Sequence, residues 1–351
     1  MKDVLPMPFP HILSNRLRLP AIAAPMFLAS GPDLVLACCR AGIVGTFPAK
    51  NQRTLDGFEA WLVKIHTGLR EIEAETGRPP PPYGVNLIAH RTNKTLQQEL
   101  DLCVKHEVPL IITSLGAVPH IVEAVHSYGG IVFHDVISLR HAKKASSAGV
   151  DGLIAVVNGA GGHTGAANPF ALINEIRQFF HGTVLLSGSL STGADIAAAQ
   201  TLGADLAYLG TRFIATRECQ SDPAYKQMII ESQLQDITST PAVSGINANF
   251  LQQSLDQAGI DKDAQNPHRS IDVDRELEDA VATNSNEAKP WRDIWSAGQG
   301  VGSISDCPPV AELVDRLCHE YHAAIAAQQR RLDWLAPDRR VRSGREKSTI
   351  S

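Results

Sequence analysis

Gly152-Leu-Ile-Ala-Val-Val157 runs directly into Asn158-Gly-Ala-Gly-Gly-His-Thr-Gly165, and the reading of this junction decides the fold. An unbroken apolar run suits a strand covered on both faces, as in a parallel sheet. Four glycines in the next eight residues mark a tight turn, or backbone pressed against a ligand, at the end of that strand.

Seven further β-rich runs flank this one: Ala21–Ala24, Gly42–Phe47, Tyr83–Ile88, Pro109–Thr113, Gly130–His134, Thr183–Ser187 and Leu206–Leu209. Most are separated by enough chain for a helix, and helical patterns occupy Asp33–Cys39, Thr95–His106, Pro119–Ser127, Ser138–Ser147, Pro169–Phe180 and Gly193–Leu202. Pro119 near a first turn and the capping groups of Ser191–Asp195 mark two helix starts. Eight apolar strands alternating with helices predict an α/β fold, a (β/α)8 TIM barrel, over residues 1–220.

The pattern changes after the eighth strand. Asp222–Ile230 reads as helix, Ile237–Gly245 as loop and Ala248–Ala258 as helix, followed by a polar stretch from Gly259 to Trp291. Residues 221–305 are therefore expected to form a smaller helical cap or lid beside the barrel mouth. Residues 306–330 are expected to form a helix completing the barrel exterior, and 331–351 a flexible basic tail. Trp291 and Trp295 either close over a ligand or pack the last helix, and packing is the favoured expectation.

A chain of 351 residues can bury a core of barrel size. Its net charge of -5, with acids and bases interspersed, gives no electrostatic footprint for nucleic acid. The N-terminus lacks the apolar core of a secretory signal and no segment resembles a membrane span, which makes the cytoplasm the default. Six cysteines without zinc-knuckle or CxxC spacing point to reduced, buried thiols and no metal.

Barrel active sites lie at the C-terminal ends of the strands, and the last two loops commonly hold phosphate. Here those loops are Ser187-Gly-Ser-Leu-Ser-Thr-Gly193 and Gly210-Thr-Arg-Phe213, whose Gly188, Ser189, Gly210 and Thr211 amides suit an anion. His163, flanked by glycine and facing the mouth, is the candidate general base or acid, beside glycines that let a planar cofactor approach.

Ala24-Pro-Met26, Gly84-Val-Asn86, Asn158–Gly165, Leu186-Ser-Gly188 and Leu202-Gly-Ala-Asp205 followed by Gly210–Phe213 together resemble the nitronate monooxygenase family of FMN-bound barrels. The resemblance spans about residues 18–260 and resumes at 291–320. It implies that Ala24, Pro25 and Met26 lie against FMN, that Asn86 bonds to it, and that Gly161 and Gly162 border its ring or ribityl chain. It further implies phosphate binding at Gly188, Gly210 and Thr211, and proton transfer by His163. The implied reaction is oxidation of a small nitronate or nitroalkane by dioxygen, giving a carbonyl compound and nitrite.

Two positions depart from the family pattern. Some relatives carry a flavin-facing lysine after the fifth strand, where this chain has His134-Asp-Val136, and Ser189 replaces a frequent second glycine. His134 either compensates electrostatically, as a contact to cofactor or substrate, or is structural. The alternative readings are an NADH-dependent quinone or enoyl-thioester reductase using FMN, and a non-catalytic flavin-binding or redox-sensor protein. Sequence leaves monomer and homo-oligomer equally open.

Overall fold

The computed structural model describes residues 10–116, 119–264, 289 and 291–335. Its centre is a closed parallel barrel of eight strands: β1 (Ala21–Ala23), β2 (Val44–Pro48), β3 (Gly84–Ile88), β4 (Leu110–Ser114), β5 (Ile131–Val136), β6 (Gly152–Val156), β8 (Thr183–Ser187) and β9 (Leu206–Leu209). β9 closes the ring on β1, with Ile22 opposite Tyr208. The two-residue strand β7 (Gly162–His163) interrupts the numbering because it belongs to the cap.

Alternation along each strand divides the apolar residues between two cores. Ile22, Val44, Ile112, Phe133, Ile154, Leu185 and Leu206 fill the barrel interior, and Leu13 joins them from the N-terminal segment. Val85, Ile111, Val132, Val136, Leu153 and Val184 face outward and pack under the helices. This explains the unbroken apolar runs, since both faces of each strand are covered.

The outer ring includes α1 (Pro32–Ala41), α2 (Leu55–Thr76), α3 (Leu96–Lys105), α4 (Pro119–His126), α5 (Leu139–Ser147), α6 (Pro169–Arg177) and α7 (Gly193–Leu202). The start of α7 is a reciprocal capping box between Thr192 and Asp195. The C-terminal helix (Val310–Leu335) lies against α1 and α7, so closely that a Cβ on Gly193 would sit 2.1 Å from Leu317 O. It continues past the expected end near residue 330, and the remainder of the basic tail lies outside the described residues. No helix among the described residues is long and apolar enough to cross a membrane.

Beyond the barrel, α8 (Thr211–Ile214), α9 (Pro223–Glu231) and α10 (Gln252–Gln257) are joined by a feature the sequence reading missed. Strands β10 (Ile237–Thr240) and β11 (Ala248–Leu251) pair antiparallel, and β11 also pairs with β7. The first part of each segment, expected as loop and as helix, is thus strand, while Gln252–Gln257 form the expected helix. The glycine turn after β6 exposes the backbone of Gly162 and His163, and β11 satisfies it with Ala248 opposite His163 and Asn249 opposite Gly162. Most of the polar stretch between Gly259 and Trp291 lies outside the described residues.

Candidate active site

A cavity of about 550 Å³ opens at the C-terminal end of the barrel, between the strand ends and the cap. Ala24, Pro25, Met26, Asn86, His134, Gly161, Gly162, His163, Gly188, Ser189, Gly210 and Thr211 all line it, so every site residue expected from sequence reaches one space.

One end is rich in backbone amides. The N-H groups of Gly188, Gly210 and Thr211 have no hydrogen-bond partner among the described residues, whereas that of Ser189 donates to Gly159 O at 3.2 Å. Ser189 is therefore a wall residue whose amide is already used. The amides of Ser191, Thr192 and Gly193 at the start of α7 are likewise taken, by Asp195 and by Glu320. Gly210 borders open space, its missing Cβ having only Ala24 and Met26 atoms near it, at 3.9 Å.

The glycines after β6 serve two purposes. A Cβ on Gly161 would lie 2.8 Å from Gly298 N and 2.9 Å from Ala297 C, and one on Gly159 would strike the Ser189 side chain. These positions are glycine because the cap backbone and the β8 loop press on them. Gly162 has φ +71° and nothing closer than 3.6 Å, so it supplies a left-handed turn. The cap is stitched down by Gly298 N to Thr211 Oγ1 (2.9 Å), Gln299 N to Gly159 O (3.0 Å) and Ser191 Oγ to Gly300 O (2.8 Å).

His163 forms part of the roof. Its Nε2 lies 3.2 Å from Ser244 Oγ, and that hydroxyl donates onward to Ile246 O at 3.1 Å. Ser244 has one hydrogen to give, so Nε2 carries the imidazole proton and Nδ1 keeps its lone pair. Burial pushes the pKa of His163 down to about 4, so the ring is neutral at physiological pH. Trp291 lies edge-on to it with centroids 5.1 Å apart and also lines the cavity; Trp295 instead stacks on Tyr225.

The polar floor comes from strand ends. Asn86, Ser114 and Asp135 are in phase with the inward residues of β3, β4 and β5, and are joined by hydrogen bonds from Asn86 Nδ2 to Ser114 Oγ (2.7 Å) and Ser114 Oγ to Asp135 Oδ2 (2.6 Å). His134 has the opposite phase, and its Nδ1 lies 2.7 Å from Thr113 Oγ1. Burial first, then His141 and Lys144, lower its pKa to about 4. It is neutral at physiological pH and cannot replace a missing lysine charge. His141 and Lys144 of α5 line the mouth and make no side-chain ion pair among the described residues. Sequence reasoning missed Asp135, although alternation from Phe133 would have pointed it inward; Lys144 was missed because it lies a helix away from the strand end.

An apolar-walled cavity of this size, with free amides at one end and a polar floor, fits a flavin mononucleotide. Residues 48–320 match the nitronate monooxygenase family, and the chain belongs to that family, whose membership implies FMN. It is an FMN-dependent oxidoreductase of that superfamily. A nitronate monooxygenase of Paraburkholderia phytofirmans is 28% identical, over 87% of this chain and 93% of the relative. A (3aS,4S,5R,7aS)-5-hydroxy-7a-methyl-1-oxo-octahydro-1H-indene-4-carboxyl-CoA dehydrogenase of Rhodococcus jostii is 24% identical, over 84% of this chain and 90% of the relative. In fold, the chain is similar to FabK from Thermotoga maritima, with a TM-score of 0.75 and 22% identity over 91% of this chain and 97% of that one.

Proposed function

We propose that the protein oxidises a small alkyl nitronate with dioxygen to a carbonyl compound and nitrite. The observation that carries this reading is the neutral His163 in the roof of a cavity that the free amides of Gly188, Gly210 and Thr211 also line. The Gly188, Gly210 and Thr211 amides would hold the FMN phosphate, Ala24–Met26 would face the ring, and Gly162 would border it. When bound, FMN supplies electron acceptance and the reaction with dioxygen. The protein orients the reactants and excludes water. An imidazole that resists protonation down to about pH 4 is a weak base, which favours a substrate that arrives already ionised. The ammonium group of Lys144 at the mouth suits such an anion.

A second reading has its own support: the same mouth would accept the phosphate-bearing tail of an acyl thioester, and one relative is a carboxyl-CoA dehydrogenase. Anaerobic stopped-flow mixing with propionate 3-nitronate, NADH and an acyl-CoA in parallel separates the two. Bleaching by the nitronate with reoxidation in air supports the monooxygenase; bleaching confined to NADH or thioester transfers the assignment to a reductase or dehydrogenase. His163→Ala should slow a neutral nitroalkane more than its preformed nitronate, and equal losses with FMN retained would remove the base role.

A further inference from the structure

The cap carries a small apolar core of its own. Val243, Ala248, Phe250, Leu255 and Ile294 are buried together, and Trp291 packs against them with part of its surface left uncovered. Phe250 is fully buried, its ring centroid 5.5 Å from that of the indole and the two planes inclined by 34°. Of this cluster, Trp291 alone lines the cavity. The packed interior of the cap therefore reaches the ligand space through one large apolar side chain.

Two further contacts fix the indole. It meets the His163 ring with centroids 5.1 Å apart and planes 76° to one another. It also lies over Gly162, whose ideal Cβ position is 3.6 Å from Trp291 Cζ3. The backbone at Trp291 has φ +66°, a left-handed conformation that bulky side chains adopt rarely. Turn chemistry at such a position asks for glycine or asparagine, so the contacts of the indole, not the turn, select a tryptophan here. Those contacts are the cap core, the roof histidine and the cavity.

We propose that Trp291 is the specificity-determining wall of the substrate compartment: its indole bounds the space beside His163 and limits the group held there to a short alkyl chain. The proposal rests on the nitronate reading of the same site. A substrate whose reacting carbon meets the His163 imidazole has the indole next to it, so each carbon added to the alkyl chain first gains apolar contact and then runs out of room. Phe250 behind the indole and His163 beside it keep the wall from yielding. In an apolar pocket of fixed size, one methylene of misfit is worth about 10–200-fold in kcat/KM.

The test is kcat/KM for the nitronates of nitroethane, 1-nitropropane, 1-nitrobutane and 1-nitrohexane, read by oxygen consumption on FMN-loaded wild type, Trp291→Phe and Trp291→Ala. Wild type should lose about tenfold or more at the first chain that overfills the compartment. Trp291→Ala should move that break to a longer chain and raise kcat/KM for the longer members by about tenfold, with Trp291→Phe between the two. Lost packing alone would lower every member by the same factor, so parallel chain-length profiles in wild type and Trp291→Ala overturn the proposal. A wild-type profile without a break does the same. If Trp291→Ala does not fold, a Trp291→Phe profile identical to wild type overturns it. The Kd values of the corresponding straight-chain carboxylates, read from the perturbed flavin absorbance, separate the wall from the reaction. Absence of nitronate oxidation, together with a chain-length dependence of Kd that Trp291→Ala flattens, would overturn the nitronate reading and support the wall.

Discussion

Asn86, Ser114 and Asp135 reach the cavity from three adjacent strands of a closed parallel ladder, whereas His163 reaches it from a strand of two residues that pairs only with β11. The floor inherits its geometry from the barrel. The roof depends on contacts distant in sequence: Asn249 Nδ2 bonds to Asn158 O and Ala160 O, and Gly298 N bonds to Thr211 Oγ1. The polar groups of the floor are thus held whether or not the cap is seated, while the roof histidine is in place only when the cap is. Local opening is expected to begin at the roof.

The largest effect expected lies on the barrel side. Lys50 Nζ and Glu99 Oε1 form a buried ion pair at 3.0 Å, tying the loop after β2 to α3. Lys50→Met leaves the carboxylate uncompensated and should cost about 3–5 kcal/mol of global stability, read from denaturant midpoints. A loss below about 1 kcal/mol would mean that the barrel side is no firmer than the cap.

Next is Gly298→Ala in the roof, where a Cβ would stand 2.7 Å from Gly159 O. Overpacking of this kind costs about 1–3 kcal/mol. If the roof opens locally, the cost should appear as a fall in FMN affinity of about tenfold or more, with little change in global unfolding. Equal losses in both measurements would show that cap and barrel unfold as one unit.

Acid should weaken the fold through both regions. His134 and His163 have pKa values lowered from 6.5 to about 4, so the unfolded chain binds more protons there and stability falls as pH drops from about 6.5 towards 4. Asp135, raised from 3.8 to about 6, acts in the opposite sense between those values, since its folded form holds the extra proton. Two histidines outweigh one carboxyl, and the melting temperature should fall between pH 7 and 5. His163→Gln should reduce that fall; an unchanged slope would assign the acid sensitivity to groups outside the roof.

The smallest effect belongs to Ser189, which adopts φ +58° in the loop after β8. Glycine relieves a left-handed conformation worth about 1–2 kcal/mol but adds freedom to the unfolded chain. Ser189→Gly should therefore stabilise by less than about 1 kcal/mol and leave FMN affinity within about threefold, because the Ser189 amide is already bonded to Gly159. A larger gain in affinity would show that the serine hinders the phosphate loop.

The eight barrel strands were readable because local apolar runs, glycine and proline punctuation and helix caps all agree along that part of the chain. The phosphate-side loops were readable for the same reason, as their glycines follow directly on apolar strands. The phase of β5 was present in the sequence but unused: alternation from Ile131 and Phe133 turns Asp135 inward and His134 away. Nothing local revealed β11. Ala248–Ala258 has a helical pattern, yet its first four residues pair with β10 and with backbone exposed by the turn after β6.

Sequence alone therefore determined the barrel, the glycine loops and the family, because each is written in short-range periodicity or in motifs adjacent to a strand. Only the tertiary structure decided the roof. Which glycines yield to the cap, which amides remain free and which histidines stay neutral depend on burial and on hydrogen bonds between segments far apart in sequence, such as Gln299 N to Gly159 O. Local propensity cannot encode such pairings, since the partner that satisfies each exposed backbone group is absent until the chain has folded.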